Sequence, residues 1–319
     1  MIAITGAYGF IGVRLAIRMR DESRYGRILV VDRGASADKA LNKNLITDLE
    51  YLGHEEFLKG LIDGRLHPKL IIHLGACSDT TEKDWSFLKR NNLEFSQRVW
   101  EWCAKNNSRL IYASSAATYG DGSLGFDDDL DLDRLQPLNL YARSKHEFDL
   151  WVRDQTGSAK PPQCIGFKFF NVFGPGESHK GRMASMVYHG FNQIKTKGKV
   201  RLFKSHRSDY EDGGQMRDFV FVEDVVDVIL RAVDDASISG LYNLGTGRAE
   251  SFKALAEATF AAMNIIPDIE YIDMPKELQG KYQYYTEASM LKSRQSGLRH
   301  EFRSLREAVY EYVNGYLRG

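Results

Sequence analysis

Short apolar runs alternate with amphipathic stretches through the first half of the chain. IAIT, RILVVD, LIIHLG, RLIYASS and CIGFKFF are separated by segments whose apolar residues recur at helical spacing. A brief aliphatic run fits a strand buried on both faces, and the intervening period fits a covering helix, so the repeated order predicts βαβ units around a parallel sheet. From Asp84 to Asn106, the residues Trp85, Leu88, Leu93, Val99, Trp100 and Cys103 mark one such helix, whose pattern assigns it to packing. Pro137 and Asn139 start another, over residues 139–153. After Asn171 the rhythm loosens into the polar, glycine-rich GPGESHKG and KSHRSDYEDGGQMRD, and strand-like DFVFV and LYNLG then return. The expectation is an α/β fold: a doubly wound parallel sheet over 1–170 with returning segments around 217–247, and a smaller, interleaved α/β substrate-binding unit made mainly of 171–319.

The first strand leads straight into ITGAYGFIG, which spaces Gly6, Gly9 and Gly12 as G-x-x-G-x-x-G and opens the amphipathic GVRLAIRMR. Glycines there permit a tight turn and close approach of the backbone to a pyrophosphate, while the helix beyond offers unpaired N–H groups. Asp32 ends the second strand, where an acid takes the ribose hydroxyls of NAD. Arg33 follows at once and Lys39 lies a few residues on, so the same corner also suits a 2′-phosphate held by charge-assisted bonds. The residues predict a dinucleotide site in a Rossmann-type fold, with NADP favoured and NAD left open.

YARSK places Tyr141 and Lys145 four apart, on one face of the helix that Asn139 starts, one βα unit after Ser115. A phenol of ordinary pKa near 10 is a poor base at neutral pH, and a neighbouring ammonium favours its phenolate, a tenfold gain in ionisation corresponding to roughly 1.4 kcal/mol. Ser115 would orient a reacting alcohol or carbonyl, and Lys145 would also reach the nicotinamide ribose. In GESHKGRMAS, Lys180 is a cation that no packing pattern explains.

Composition narrows the partners. Lysines and arginines equal aspartates and glutamates at 43 each, so no basic surplus points to nucleic acid or membrane, and a small-molecule substrate becomes the expectation. Cys77, Cys103 and Cys164 are scattered, with no metal-binding pair and no disulfide pattern, which together with the lack of a leader-like N-terminus suggests the cytoplasm. No metal site is expected.

Taken together, ITGAYGFIG, YASSAATYG, YARSK and FNVFGP resemble the extended short-chain dehydrogenase/reductase family, whose members act mainly on nucleotide-activated sugars. HLGACSDTTE, FNVFGPGESHKGRMAS, LYNLGTGRAESF and GKYQYYTEA narrow the resemblance to the branch that inverts C6 of an ADP-activated heptose, over nearly the whole chain. The resemblance implies an isomerase that supplies lipopolysaccharide core heptose and works as a homo-oligomer. It places Ser115 and Tyr141 at the reacting carbon, Lys145 at the cofactor, and Lys180 opposite Tyr141 as a second acid/base. It lines the cofactor with Gly6, Gly9, Phe10, Ile11, Gly12, Asp32, Arg33, Lys39, Leu74, Gly75, Ala76, Cys77, Ser78, Asn91, Lys145, Val172 and Lys180. Substrate contacts fall on Ser115, Asn171, Arg182, His189, Phe203, Lys204, Ser205, Arg217 and Tyr282. Lys180 serves as a base if burial or a cation such as Arg182 lowers its pKa. Two positions depart from the family pattern: Lys168 stands where an arginine is usual, and His54 where a lysine near the adenosine phosphate is usual, which weakens the expectation for phosphate geometry and NADP. Ala116, Ala117 and Thr118 after Ser115 disfavour a dehydratase, whereas a UDP-sugar 4-epimerase and a non-catalytic dinucleotide-binding protein remain alternatives.

Overall fold

The computed structural model describes residues 1–34, 36–155, 160–276 and 282–318. In chain order its strands are β1 (Ile2–Thr5), β2 (Ile28–Asp32), β3 (Glu50–Gly53), β4 (Leu70–His73), β5 (Arg109–Ser115), β6 (Cys164–Phe169), β7 (Asn171–Phe173), β8 (Val200–Phe203), β9 (Met216–Phe221), β10 (Gly240–Leu244), β11 (Ala249–Ser251) and β12 (Ile269–Ile272). Seven of them form one parallel sheet in the order β10-β6-β5-β4-β1-β2-β3. The chain winds outward from β1 to β3, then returns to β4 and winds the other way. Connections on the two sides of that reversal leave opposite faces of the sheet, which opens a crevice beyond the carboxyl ends of β1 and β4.

Both faces of the sheet are apolar because each strand alternates between two cores. Ile4, Val30, Ile72, Ile111 and Ile165 pack with the helices Phe10–Asp21 and Val222–Asp234. Ala3, Leu29, Ile71 and Leu110 point the other way, toward the helices His54–Ile62, Phe95–Lys105 and Leu140–Asp154. The helix expected over 84–106 is a continuous run of Trp85–Leu88, a π turn over Lys89–Glu94, and Phe95–Lys105. β3 escapes the apolar-run rule because it is a short edge strand with two exposed and two half-buried residues.

The second half of the chain builds a core of its own from Phe173, Val187, Phe191, Leu202, Phe221, Phe260, Val309 and Tyr312. Two small sheets border it, β11-β9-β7 and β12-β8. The returning segment is therefore divided: β10 joins the large sheet, while β9 pairs with β7 and β11 instead. The buried carboxylate of Asp218 ties β9 to the turn after β10, accepting from the N–H groups of Thr246 at 2.7 Å, Gly247 at 2.9 Å and Ala288 at 3.0 Å.

Lys168 on β6 is fully buried. Its ammonium lies 3.0 Å from Asp149 Oδ2 and 2.5 Å from Thr118 Oγ1, and Asp149 also accepts from Ser114 at 2.6 Å and Tyr112 at 3.2 Å. Lys168, where the resemblance would have an arginine, is thus an internal ion-pair partner facing Asp149. Breaking a buried pair strands the remaining charge, so Asp149→Asn is expected to lower unfolding free energy by about 3–5 kcal/mol in urea titrations. A loss below about 1 kcal/mol, the size of an ordinary surface change, would contradict this reading of the network.

Candidate active site

The glycine-rich turn sits at the sheet reversal, where space is short. Gly6 has φ +70°, and a Cβ added there would lie 2.7 Å from Gly75 Cα. A Cβ at Gly12 would lie 2.2 Å from the Gly6 carbonyl oxygen. Only glycine permits these approaches, and they aim the start of the helix Phe10–Asp21 into the crevice. The neighbouring strand is locked by polar contacts: Gly75 N–H donates to Thr5 Oγ1 at 3.1 Å, Thr5 Oγ1 lies 2.6 Å from His73 Nδ1, and His73 Nε2 lies 2.9 Å from Ser96 Oγ. Burial pushes the His73 pKa down to about 3, so a neutral ring carries this bridge.

Asp32 is buried, and its carboxylate turns back into its own loop. Oδ2 accepts from Tyr8 N–H at 3.0 Å, while Oδ1 accepts from Arg33 N–H at 2.8 Å and faces Lys39 Nζ at 3.2 Å. Arg33 reaches the Asn91 side-chain carbonyl oxygen and lies 5.4 Å from the Phe87 ring, so Arg33, Lys39 and Asn91 border one corner. His54 begins the helix after β3, with its ring 5.8 Å from that of Phe95. Burial, and to a smaller degree Arg33, lowers its pKa and favours the neutral form.

Asn139 caps the helix Leu140–Asp154 by accepting from Ala142 N–H at 2.8 Å, which fixes the start of the turn carrying Tyr141 and Lys145. Ser115, at the end of β5, faces the Tyr141 phenol and acts to lower its pKa. Lys145 is buried and donates to the Ala113 carbonyl at 2.9 Å; desolvation brings its pKa down to about 8, with Asp149 opposing. Tyr141 departs from the sequence expectation. Burial raises its pKa, and Ser115 only partly offsets that rise. The chain's own groups therefore hold the phenol protonated and in position.

Lys180 enters from the other side of the sheet reversal. It lies in a 3₁₀ turn, Ser178–Met183, with its ammonium 5.3 Å from the ring of Phe10 on the first helix. Its pKa is lowered by burial, the first of the two expected causes, while Arg182, the other, donates to Thr81 Oγ1 at 2.5 Å. Tyr141 comes from a helix on one face of the sheet and Lys180 from a turn against the helix on the opposite face.

A third group lies farther along the chain. Arg217 is buried and its guanidinium sits 5.1 Å from the Tyr282 ring and 5.6 Å from that of Phe252; Tyr282 in turn meets Phe203 edge-on at 6.3 Å. Among the described residues no carboxylate pairs with Arg217, whose guanidinium donates to the Met216 carbonyl at 2.7 Å. A buried cation flanked by aromatic rings is suited to a phosphate and a flat base. Ser205 lies nearby in the chain, its N–H donating to Asp212 at 2.7 Å, whereas Lys204 forms an exposed pair with Asp273 at 3.1 Å. Asn171 is exposed at the start of β7, beside half-buried Val172, and its side-chain oxygen accepts from Thr286 at 3.4 Å. His189 is half-buried on the helix Met186–Lys197. Leu74, Gly75, Ala76, Cys77 and Ser78 follow β4 and are half-buried except for exposed Ser78.

Sequence reading missed four supporting residues. Asn92, buried in the π turn, accepts from Cys77 N–H at 2.8 Å and donates to the Cys77 carbonyl at 2.9 Å and to Ser144 at 3.0 Å. Asp149 continues the face of Tyr141 and Lys145 by one more turn. Both are polar residues at buried helix positions, a signal available in the sequence. Asn42 donates to the carbonyls of Tyr8 at 3.1 Å and Gly176 at 2.9 Å, joining the glycine-rich turn to the Lys180 loop; Glu177 is the buried acid of that loop. Nothing in the local sequence marks either one.

Known proteins resemble this chain in sequence and fold. The model of the NAD dependent epimerase/dehydratase family matches residues 2–245. An ADP-L-glycero-D-manno-heptose-6-epimerase of Fusobacterium nucleatum is 43% identical over 99% of this chain and 98% of its own length, and one of Nitratidesulfovibrio vulgaris is 44% identical with the same coverage. The crystal structure of the Helicobacter pylori ADP-L-glycero-D-manno-heptose-6-epimerase superposes with a TM-score of 0.82 at 26% identity, covering 98% of this chain and 95% of that one. A Thermotoga maritima UDP-glucose 4-epimerase, 21% identical with a TM-score of 0.80 and coverage of 99% and 98%, shares the fold. With its glycine turn, its serine, tyrosine and lysine, and full-length relatives of one kind, this chain belongs to the NAD dependent epimerase/dehydratase family.

Proposed function

We propose that the protein epimerises C6 of an ADP-activated heptose, converting ADP-D-glycero-β-D-manno-heptose to ADP-L-glycero-β-D-manno-heptose. Its near-full-length relatives carry that activity by name. The observation that carries the reading is Lys180: a half-buried lysine at the cofactor end of the crevice, delivered from the side of the sheet opposite Tyr141.

The glycine cradle, which a Cβ would fill, fits a dinucleotide pyrophosphate. Bound there, a nicotinamide would accept the C6 hydride and later return it. Ser115 and Tyr141 hold the C6 oxygen from one side, and Lys145, beneath them, adds positive charge that favours loss of the tyrosine proton. With the phenol otherwise held protonated by burial, Tyr141 gives or takes a proton only at that oxygen. The exocyclic C5–C6 bond lets a 6-ketone turn its other face, and Lys180 is the acid/base for that second orientation. Arg217 takes the diphosphate, with Phe203 and Tyr282 beside the adenine.

The cofactor reading favours NADP. Three of the roughly four acceptor positions of the Asp32 carboxylate are already filled, by Tyr8, Arg33 and Lys39, which leaves little for a pair of ribose hydroxyls. Arg33 and Lys39 remain at that corner as cations for a 2′-phosphate. The large sheet, built by residues 1–170 with the returning β10, would bind this cofactor, and a smaller unit made mainly of 171–319 the sugar nucleotide.

Incubation with ADP-D-glycero-β-D-manno-heptose should yield the L-glycero epimer by NMR, and Lys180→Met should lower kcat by about 10²–10⁴-fold, the range for an acid/base group. Unchanged turnover in that variant would remove the two-base mechanism; no conversion by the unaltered protein would remove the substrate assignment. In a separate titration, Arg33→Ala or Lys39→Ala should weaken NADP binding by about 10–100-fold, as for a lost charge-assisted bond, and leave NAD binding nearly unchanged. Equal effects on both cofactors would contradict the 2′-phosphate role.

A further inference from the structure

The loop that carries Lys180 encloses one fully buried carboxylate, Glu177. Its Oε1 accepts from Gly174 N–H at 3.1 Å and from the Ser185 hydroxyl at 2.7 Å, and its Oε2 accepts from Ser185 N–H at 2.5 Å. Tyr312, buried in the helix Leu305–Tyr312, faces the same carboxylate, whose charge adds to burial in raising the phenol pKa. One side chain therefore gathers the beginning of the loop, its end and the C-terminal helix. Lys180 lies between the gathered points, and its own N–H donates to the Glu177 carbonyl at 2.9 Å.

Such burial is costly for a carboxylate unless several donors meet it, and here they do. A packing requirement alone would be met by an apolar residue at the same place. The negative charge has a local consequence. Burial draws the Lys180 pKa down, and Glu177 is the group that opposes it. The other titratable or charged groups facing this loop are His179, whose own pKa burial lowers, with Lys39 and Asp32 acting on it; Tyr312 and Tyr188 on the two adjoining helices; and Arg182, turned to Thr81. Phe10 closes the side toward the cofactor cradle without adding charge.

We propose that Glu177 is the positioning residue for Lys180: it closes the 174–185 loop on itself and on the C-terminal helix, and sets both where the Lys180 ammonium stands and the charge it faces. The proposal rests on Lys180 being an acid/base of the epimerisation. It gives Tyr312, which faces Glu177, a part in catalysis without contact with the substrate.

Glu177→Gln keeps the shape and removes the charge; Tyr312→Phe keeps the ring and removes one donor. Both are assayed as full-length protein with its cofactor on ADP-D-glycero-β-D-manno-heptose, beside the unaltered chain and Lys180→Met. Glu177→Gln should lower kcat by about 100-fold, as displacing a catalytic group does, with little change in KM. It should also move one ionisation of the pH profile of kcat/KM to lower pH, because an ammonium without its counter-charge loses its proton sooner, and leave the other in place. Tyr312→Phe should lower kcat by about two- to tenfold, the worth of one hydrogen bond, and supplies the same test should Glu177→Gln fail to fold. If Lys180→Met is inactive while both variants keep the normal kcat and pH profile and lose only thermal stability, Glu177 is a structural residue and the proposal is wrong. An active Lys180→Met would instead overturn the two-base reading beneath it.

Discussion

The site depends on a contact between two glycines. Gly6 and Gly75 meet where the sheet reverses direction, at a separation that leaves no room for a side chain on Gly6. That approach brings the ends of β1 and β4 together, directs the first helix into the crevice, and through Thr5, His73 and Ser96 ties the turn to the helix that carries Asn92. Asn92 then braces Cys77 and Ser144, one residue from Lys145. Cofactor cradle and proton-transfer helix are thereby held by one polar chain through the middle of the protein.

The second consequence is electrostatic. Lys145, Lys180 and Arg217 are each drawn out of water, and each has its pKa lowered by that burial. Lys168, fully buried, is instead paired with Asp149. On the proposed reading the first three face ligands, and the fourth pairs inside the protein. The distinction separates cations that wait for a ligand from one whose partner is internal. On β6 the lysine serves Asp149 and Thr118 through a point charge.

Much of this is legible in the chain. The apolar runs of β1, β2, β4, β5, β6, β9 and β10 announce strands, because a strand covered on both faces has few polar positions to confuse the pattern. ITGAYGFIG and YARSK mark their turn and helix through spacing alone. β3, β8 and β12 are not legible, being short strands whose exposed or half-buried residues break the apolar run. The same limit hides which sheet β9 joins, since pairing is a long-range choice. At the site, protonation is the least legible property. The nearby ammonium suggests a lowered phenol pKa for Tyr141, yet desolvation by residues distant in sequence outweighs it. For Lys180 the chain offers the direction only as a condition, and the cause is burial against the first helix, which no local motif encodes.

The central claim is that the C6 alcohol would give its hydride to one bound nicotinamide, leaving a ketone, and would regain it on the other face, with Tyr141 and Lys180 handling only the oxygen's proton. The direct test is the fate of the C6 hydrogen, followed by NMR and mass spectrometry with heptose deuterated at C6. The account predicts an L-glycero product that keeps its deuterium, and no solvent deuterium at C6 when unlabelled substrate reacts in D₂O. Loss of the label to water, or its entry from D₂O, would show that the carbon exchanges a proton with solvent and would contradict hydride transfer at this site.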